Sequence, residues 1–399
     1  MDYAELSPAE LLSLEFTAPA MTDRAWQVRW DLADRDPGEL VLGTLPPTID
    51  FHTSGSTGPS RCWRRLRENV WLEAGMLAEL IEPEKPEAVV SCVPPTHLYG
   101  ALASVLIPAR LRLPVWYKPT FYGVMPPIEQ RRVVVVATPW IFTLLLQHMK
   151  WVREMEHITV LYGGAMLPAT AGEFLAEAGP DRALIVEVLG STEAGGIATR
   201  RWREGEPPPW TLFRDVSFAE PESRPELASD PGPAGTNGDG QNGDGSPDDG
   251  EIPLVIRSPR LAFRPDERPP PLWEADDHVQ PLDERTFRFA GRRTRLVKVN
   301  GRRINLDEVE HALRAVLDCE DLAVVPVADR MIGEHVDLLV VLKPGTELAD
   351  LDLSTAFDRI GVRPKRVHEV PRIERSALGK VRHLQTSPIT EATEAEVAK

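Results

Sequence analysis

The sequence predicts an α/β protein: a large N-terminal domain of mostly parallel sheets flanked by helices, followed by a small α+β domain. Three observations predict it. Short apolar runs alternate with longer amphipathic segments from residue 1 to about 226, a rhythm that puts helices between parallel strands. A stretch from about 229 to 251 is dominated by Gly, Asp, Asn, Pro and Ser; it has no material for a core, so disorder is expected there. A smaller block from Gly291 then carries its own helix and strands.

The elements follow in order. Ile49-Asp50-Phe51 is strand-like, and Arg67 to Glu82 has helical periodicity. Ala88 to Val93 and Val115 to Tyr117 are short strands. Val133 to Ala137 is a buried strand, with a helix opening near Pro139, since proline suits a first helical turn. Ile158 to Tyr162 (strand), Ala169 to Ala178 (helix) and Leu184 to Leu189 (strand) continue the alternation. Strand pattern resumes from Ile252 to Phe289. The last block offers a helix at Leu306 to Leu317 and strands at Leu322 to Val325 and Val336 to Leu342. The expected domains are 1–290 and 291–385, with an acidic tail at 386–399. There are no internal repeats.

The chain has 399 residues, 42% hydrophobic and 27% charged, with a formal net charge of -16. An acidic surface argues against nonspecific binding to nucleic acid or anionic membranes. Cys62, Cys92 and Cys319 are far apart, odd in number and without metal spacing, as expected of reduced thiols in a cytoplasmic protein. Asp2, Glu5 and Glu10 stand where a signal peptide would be basic. The most apolar stretch, Val133 to Leu146, is too short to span a bilayer and is interrupted by Pro139. No membrane and no nucleic-acid partner is expected.

Three motifs carry chemistry. Thr53-Ser54-Gly55-Ser56-Thr57-Gly58 follows a strand. Its glycines let the backbone approach a ligand, and its N–H and hydroxyl groups suit an anion. Arg61 adds a cation. It is not a Walker loop, because no Gly-Lys-Ser/Thr closes it; taken alone, a plain Ser/Gly loop stays open. Gly190-Ser191-Thr192-Glu193-Ala194-Gly195 follows the run Leu184 to Leu189. That places a hydroxyl and a carboxylate at the carboxyl edge of a sheet, where open α/β folds bind ligands. The carboxylate suits Mg²⁺, although a turn with a cap fits the motif equally well. Lys380 lies on a Gly-containing turn near the end, where alone it would be a solvated cation.

In this order the motifs resemble the adenylate-forming superfamily of acyl-CoA synthetases, peptide-synthetase adenylation domains and luciferases. Further segments match. His97-Leu98-Tyr99-Gly100 is similar to the family's segment edging the acyl pocket, and Gly163-Gly164-Ala165 to its small-residue strand end beside adenine and acyl group. Asp276-Asp277 after Trp273 resembles its ribose-binding segment. Gly291-Arg292 through Lys298 and Gly301-Arg302-Arg303-Ile304 resembles the start of a mobile C-terminal domain. The resemblance spans about residues 49 to 384.

The resemblance implies ATP and Mg²⁺ as cofactors. Thr53, Ser54, Gly55, Ser56, Thr57 and Gly58 would hold the leaving phosphates. Gly164, Gly190 and Ser191 would flank the nucleotide. Thr192 would contact the α-phosphate and Glu193 would hold the metal. Asp277 would accept the ribose hydroxyls, with Arg292 beside it. Lys380 would bridge carboxylate and phosphate at the transition state. His97, Tyr99, Gly100, Gly163, Gly164 and Leu189 would line the acyl pocket, with His97 counted among the catalytic set. Lys298 and Gly301 would line a pantetheine tunnel.

The chain departs from the family in four ways. The loop sits near residue 53, so most of the family's first subdomain is expected to be missing. The loop ends Pro59-Ser60-Arg61 instead of x-Pro-Lys. Leu189 replaces a common adenine-stacking aromatic residue. The hinge position holds Thr294 instead of Asp or Lys. No aspartate lies near His97 to pair an α-ammonium, so the expected substrate is a non-amino acid: aryl, enoyl or fatty. The expected function is activation to an acyl-AMP, then transfer to an acyl carrier protein or CoA, by analogy in natural-product biosynthesis. An amine acceptor and a non-catalytic nucleotide-binding relative are the alternatives.

Overall fold

A computed structural model describes residues 3–53, 61–119, 125–219, 250–292, 295–299, 302–329, 333–360 and 363–374. Ser54, Gly55, Ser56, Thr57, Gly58, Thr294, Gly301 and Lys380 lie outside the described residues, as do the tail and nearly all of the segment expected to be disordered.

The N-terminal part contributes β1 (Ala4–Leu6), β2 (Trp26–Arg29), β3 (Thr48–Thr53), β4 (Arg61–Leu66), β5 (Ala88–Ser91), β6 (Pro114–Tyr117), β7 (Arg132–Ala137), β8 (His157–Gly163) and β9 (Ala183–Ser191). There follow β10 (Gly195–Trp202), β11 (Trp210–Leu212), β12 (Ser217–Phe218), β13 (Ile252–Arg257), β14 (Trp273–Pro281) and β15 (Thr286–Arg292). All but β3 and β4 join one sheet in the order β1-β2-β6-β5-β7-β8-β9-β10-β11-β15-β14-β13-β12.

The block β6-β5-β7-β8-β9 is parallel throughout. Its strands are Val/Ile-rich and buried on both faces, as helix-covered parallel strands must be. Parallel pairing holds in this block and for β1 with β2. Every other neighbour in the sheet pairs antiparallel. The expectation of mostly parallel strands therefore holds for the first half only. Short links from β9 to β10 and from β14 to β15 reverse the chain between neighbouring strands, where a parallel pair would need a crossover.

Helix formation follows apolar spacing. Arg67–Ile81 buries Val70, Trp71, Ala74, Leu77, Ala78 and Ile81 on one face. Ala169–Ala178 forms over the residues expected and stops at Gly179, whose φ of 84° is one that glycine adopts without steric cost. The periodicity did not predict a helical run from Leu98 to Leu111, which is π-helical over Ala101–Leu106. From Leu98 to Ala109 it is apolar but for Ser104 and the Tyr99 hydroxyl and mostly buried, with exposed Arg110 only at its end, so it shows no helical stripe. Pro108 supplies no N–H to the turn before it, which accounts for the local widening.

The C-terminal part contributes β16 (Leu296–Val299), β17 (Arg302–Asn305), β18 (Asp321–Asp329), β19 (Gly333–Val341) and β20 (Val367–Glu369). β16 and β17 form a hairpin, and β18-β19-β20 a separate sheet. The helix is Leu306–Arg314, capped by Asn305 and shorter than expected. It packs Leu306, Val309 and Leu313 with Leu322, Val324, Val336, Leu338 and Val340 in a core distinct from that of the large sheet. No helix among the described residues is long and apolar enough to cross a membrane.

Candidate active site

The site is built from the carboxyl edge of the parallel block and from what lies behind it. β9 is the last parallel strand. It ends at Ser191, the chain turns through Thr192, Glu193 and Ala194, and β10 returns antiparallel from Gly195. The Ser191 hydroxyl accepts the Ala194 N–H at 3.1 Å, closing the turn. Gly190 is exposed, while Ser191, Thr192 and Glu193 are half-buried at the edge. Leu189, one residue before Gly190 on β9, is half-buried and opposite Ala198.

Four charged side chains grip this turn from behind. Arg65 and Arg260 are fully buried and Glu73 is 2% exposed. Glu73 pairs with both guanidiniums at 2.9 Å and accepts the Gly196 N–H at 2.7 Å. Arg65 donates to the Thr192 carbonyl at 3.0 Å, and Arg260 to the Gly196 carbonyl at 2.8 Å. Asp215 completes the group, accepting from Arg260 at 2.7 Å. Burial pushes the Arg65 guanidinium below its ordinary value, against the pull of Glu73. Gly195 has a φ of 74°, and a Cβ there would sit 2.5 Å from the Glu73 carboxylate. Glycine is what lets the ionic group touch the turn.

Arg65 lies on β4, which pairs with β3 so that Thr53 faces Arg61. Residues 54–60, the Ser/Thr/Gly loop, connect these two ends. Arg64 exchanges backbone hydrogen bonds with Phe263, and Ala262 N–H donates to the Glu193 carbonyl at 2.8 Å. The hairpin that carries the loop is thus tied to the turn that carries Thr192 and Glu193.

Asp277 and Arg292 are direct partners across β14 and β15. The Arg292 guanidinium lies 3.5 Å from the Asp277 carboxylate, which is 13% exposed.

The other wall begins at His97, just ahead of the buried helix. Burial pushes its imidazole below the ordinary value. The Tyr99 hydroxyl donates to the Leu161 carbonyl at 2.7 Å and approaches that of Ala137 at 3.3 Å, near the ends of β8 and β7. Its ring lies against Gly163, the last residue of β8, where a Cβ would come within 3.3 Å. Gly164 turns the chain away with a φ of 90°. Gly100 has a packing reason of its own: a Cβ there would lie 1.9 Å from the Pro94 carbonyl oxygen.

The structure brings Asp277 to Arg292, brings Tyr99, two residues beyond His97, to Gly163, and puts Thr192-Glu193 at the sheet edge. Lys298 lies on β16 opposite Arg303. The sequence reading missed Arg65, Glu73, Asp215 and Arg260. These residues are up to 195 positions apart in pairs such as Arg65 and Arg260, so only the folded topology brings them together.

The large sheet, with its parallel block and the turn at its carboxyl edge, is an open α/β fold with its candidate site at that edge. Residues 48–244, just under half of the chain, match the family model for AMP-binding enzymes. Among curated proteins, the long-chain-fatty-acid–CoA ligase of Bacillus subtilis is 24% identical over 379 residues, 86% of this chain and 62% of the relative. The 4-coumarate–CoA ligase of Cereibacter sphaeroides is 29% identical over 171 residues, 42% of this chain and 40% of the relative. This chain thus spans less than two thirds of the length of either. Among solved structures, ATP-bound MatB from Rhodopseudomonas palustris superposes with a TM-score of 0.60 at 19% identity, covering 84% of this chain and 66% of that one. The o-succinylbenzoate CoA synthetase MenE of Bacillus subtilis gives 0.61 at 16% identity, covering 87% and 70%. Residues 48–244 thus match an AMP-binding model, and the chain shares its fold with these two solved structures.

Proposed function

We propose that this chain joins a non-amino carboxylic acid to AMP and passes the acyl group to a thiol, as an AMP-forming acid–thiol ligase. The observation that carries it is the Thr192-Glu193 turn, held at the edge of β9 and tied through Arg65 to the hairpin bearing the Ser/Thr/Gly loop. The likeness to CoA ligases supports the same reading.

In this reading the substrate carboxylate attacks the α-phosphorus of ATP and pyrophosphate leaves. Catalysis of such a step is mainly positioning and electrostatics. Residues 53–58 hold the leaving phosphates and the Thr192 hydroxyl donates to the α-phosphate. Asp277, an acceptor-only group steadied by Arg292, takes the ribose hydroxyls. Lys380 meets the charge at the reacting centre. Among the described residues no cluster of three metal-ligating side chains exists. A single carboxylate, Glu193, suits Mg²⁺ carried in on phosphates, because that ion keeps most of its shell as water and phosphate oxygen. The metal would neutralise phosphate charge there.

His97, Tyr99, Gly163 and Leu189 form the acyl wall, and the absence of an aspartate beside His97 favours an aryl, enoyl or fatty acid over an amino acid. The acceptor is the phosphopantetheine thiol of CoA or of an acyl carrier protein, the latter suiting a natural-product pathway. Residues 291–385 act as a mobile domain presenting Lys380, and later Lys298 and Gly301 along the thiol's path. Three free cysteines suit a reducing cytoplasm.

The test is pyrophosphate release across a broad acid panel with ATP and Mg²⁺, then product mass with CoA, holo carrier protein and amines side by side. Acid-dependent pyrophosphate and a thioester are expected. No acid-dependent pyrophosphate sinks the activation step, and amide products alone replace the thiol with a nitrogen acceptor.

A further inference from the structure

The catalytic and binding roles above assign no chemistry to Arg65, Glu73, Arg260 and Asp215. Burying Arg65, Glu73 and Arg260 is costly even beside half-buried Asp215, and apolar residues of similar volume often serve stability as well or better. The group's outward hydrogen bonds instead show what it serves. Glu73 accepts from Gly196 N–H, Arg65 donates to the Thr192 carbonyl, and Arg260 donates to the Gly196 carbonyl. These bonds hold the backbone on either side of Glu193. The remaining bond in this direction, Arg65 to the Arg260 carbonyl at 2.8 Å, fixes the segment whose Ala262 N–H holds the Glu193 carbonyl. The group belongs to four separate pieces of chain: strand β4, the helix Arg67–Ile81, the link between β11 and β12, and the segment after β13.

We infer that Glu73, Arg65 and Arg260 are positioning residues, which set the Thr192–Gly196 turn against the β3–β4 hairpin and so align Thr192 and Glu193 with the phosphates held by the loop. The inference rests on the proposed function for what is aligned, but the clamp itself can be tested without it.

Glu73→Gln keeps the shape and an oxygen for Gly196 but takes the ion-pair partner from Arg65 and leaves Arg260 with Asp215. Arg65→Gln with Glu73→Gln removes one charge of each sign and restores the balance, while deleting the bond to Thr192. Hydrogen exchange followed by mass spectrometry reads the turn directly. In folded Glu73→Gln, exchange over 190–196 should rise by about tenfold or more, with β5, β7 and β8 unchanged. Per folded molecule, kcat for acid-dependent pyrophosphate release should fall about 100-fold, the cost of a misplacement near 1 Å, with KM for the acid unchanged. The double variant should recover the wild-type unfolding midpoint without recovering kcat. If Glu73→Gln does not fold, the double variant carries the exchange measurement.

Unchanged exchange over 190–196, or a double variant that regains both stability and rate, overturns the inference. Wild-type protein silent toward every acid, with faster exchange in the variant, supports the clamp and sinks the activity it was assigned to serve.

Discussion

At Thr192–Gly196 the backbone is held by buried charge; at His97–Gly100 it is held by contact. Behind the turn, two arginines and a glutamate donate to and accept from main-chain groups. On the opposite wall, Gly100 lies against the Pro94 carbonyl and the Tyr99 hydroxyl reaches the ends of two strands. Ionic bonds of this kind fix direction as well as distance, which suits groups that must face phosphates. Close packing fixes volume, which suits a wall that selects an acyl group by shape. The two walls should fail differently when altered.

Gly100→Ala should have the largest effect. Its Cβ would overlap a backbone oxygen that no rotamer change can clear, so the helix or the Pro94 segment must shift. A loss of about 3 kcal/mol is expected, at the upper end of overpacking costs, read as a lower urea midpoint at unchanged slope. Among folded molecules, KM for the acid should rise while affinity for ATP holds. Equal losses for both substrates would show that the two walls are not separable.

Asp277→Asn tests the charged side next. An amide facing Arg292 gains a donor where the ribose needs an acceptor. Nucleotide affinity by calorimetry should weaken roughly 10- to 100-fold, the range of a hydrogen bond to a charged group, with the acid KM unaffected. Unchanged affinity would remove Asp277 from the nucleotide site.

Tyr99→Phe is milder. The ring still covers Gly163, but the Leu161 carbonyl loses its donor at 2.7 Å. About 1–2 kcal/mol of stability should be lost, again by urea midpoint, with no change in nucleotide affinity.

The same division explains what could be seen in the sequence. Val/Ile runs bounded by turns announced β7, β8 and β9 to within two residues, because a strand buried on both faces has no choice but to be apolar. The Thr192-Glu193 turn was legible because it directly follows such a run. Asp277 and Arg292 came from family resemblance, and their pairing needed the β14–β15 register. The clamp was hidden for a physical reason. Arg65 sits among Arg61, Arg64 and Arg67, and Glu73 on a helix with Glu68 and Glu79, where charge ordinarily marks a solvated face. The helical run from Leu98, buried almost throughout to Ala109, was hidden for the opposite reason: without a polar side it has no periodicity to read.

The smallest effect concerns pH and the packed wall. Burial holds the His97 imidazole below its ordinary value of 6.5. As pH falls through 6.5 the unfolded chain binds this proton before the folded one does, so the unfolded state gains. The neutral imidazole's contribution is therefore fully present above pH 6.5 and declines as pH falls toward the lower folded value. His97→Gln removes that proton from both states. Urea midpoints at pH 7.5 and 5.5 should show wild type losing more stability on acidification than His97→Gln. The Arg65 and Arg260 guanidiniums do not titrate in that interval, so exchange over 190–196 should be no more pH-sensitive in wild type than in the variant, beyond the intrinsic dependence of amide exchange. Identical midpoint shifts for the two proteins would show that His97 is not held neutral by its burial, and would remove pH as a means of telling the two walls apart.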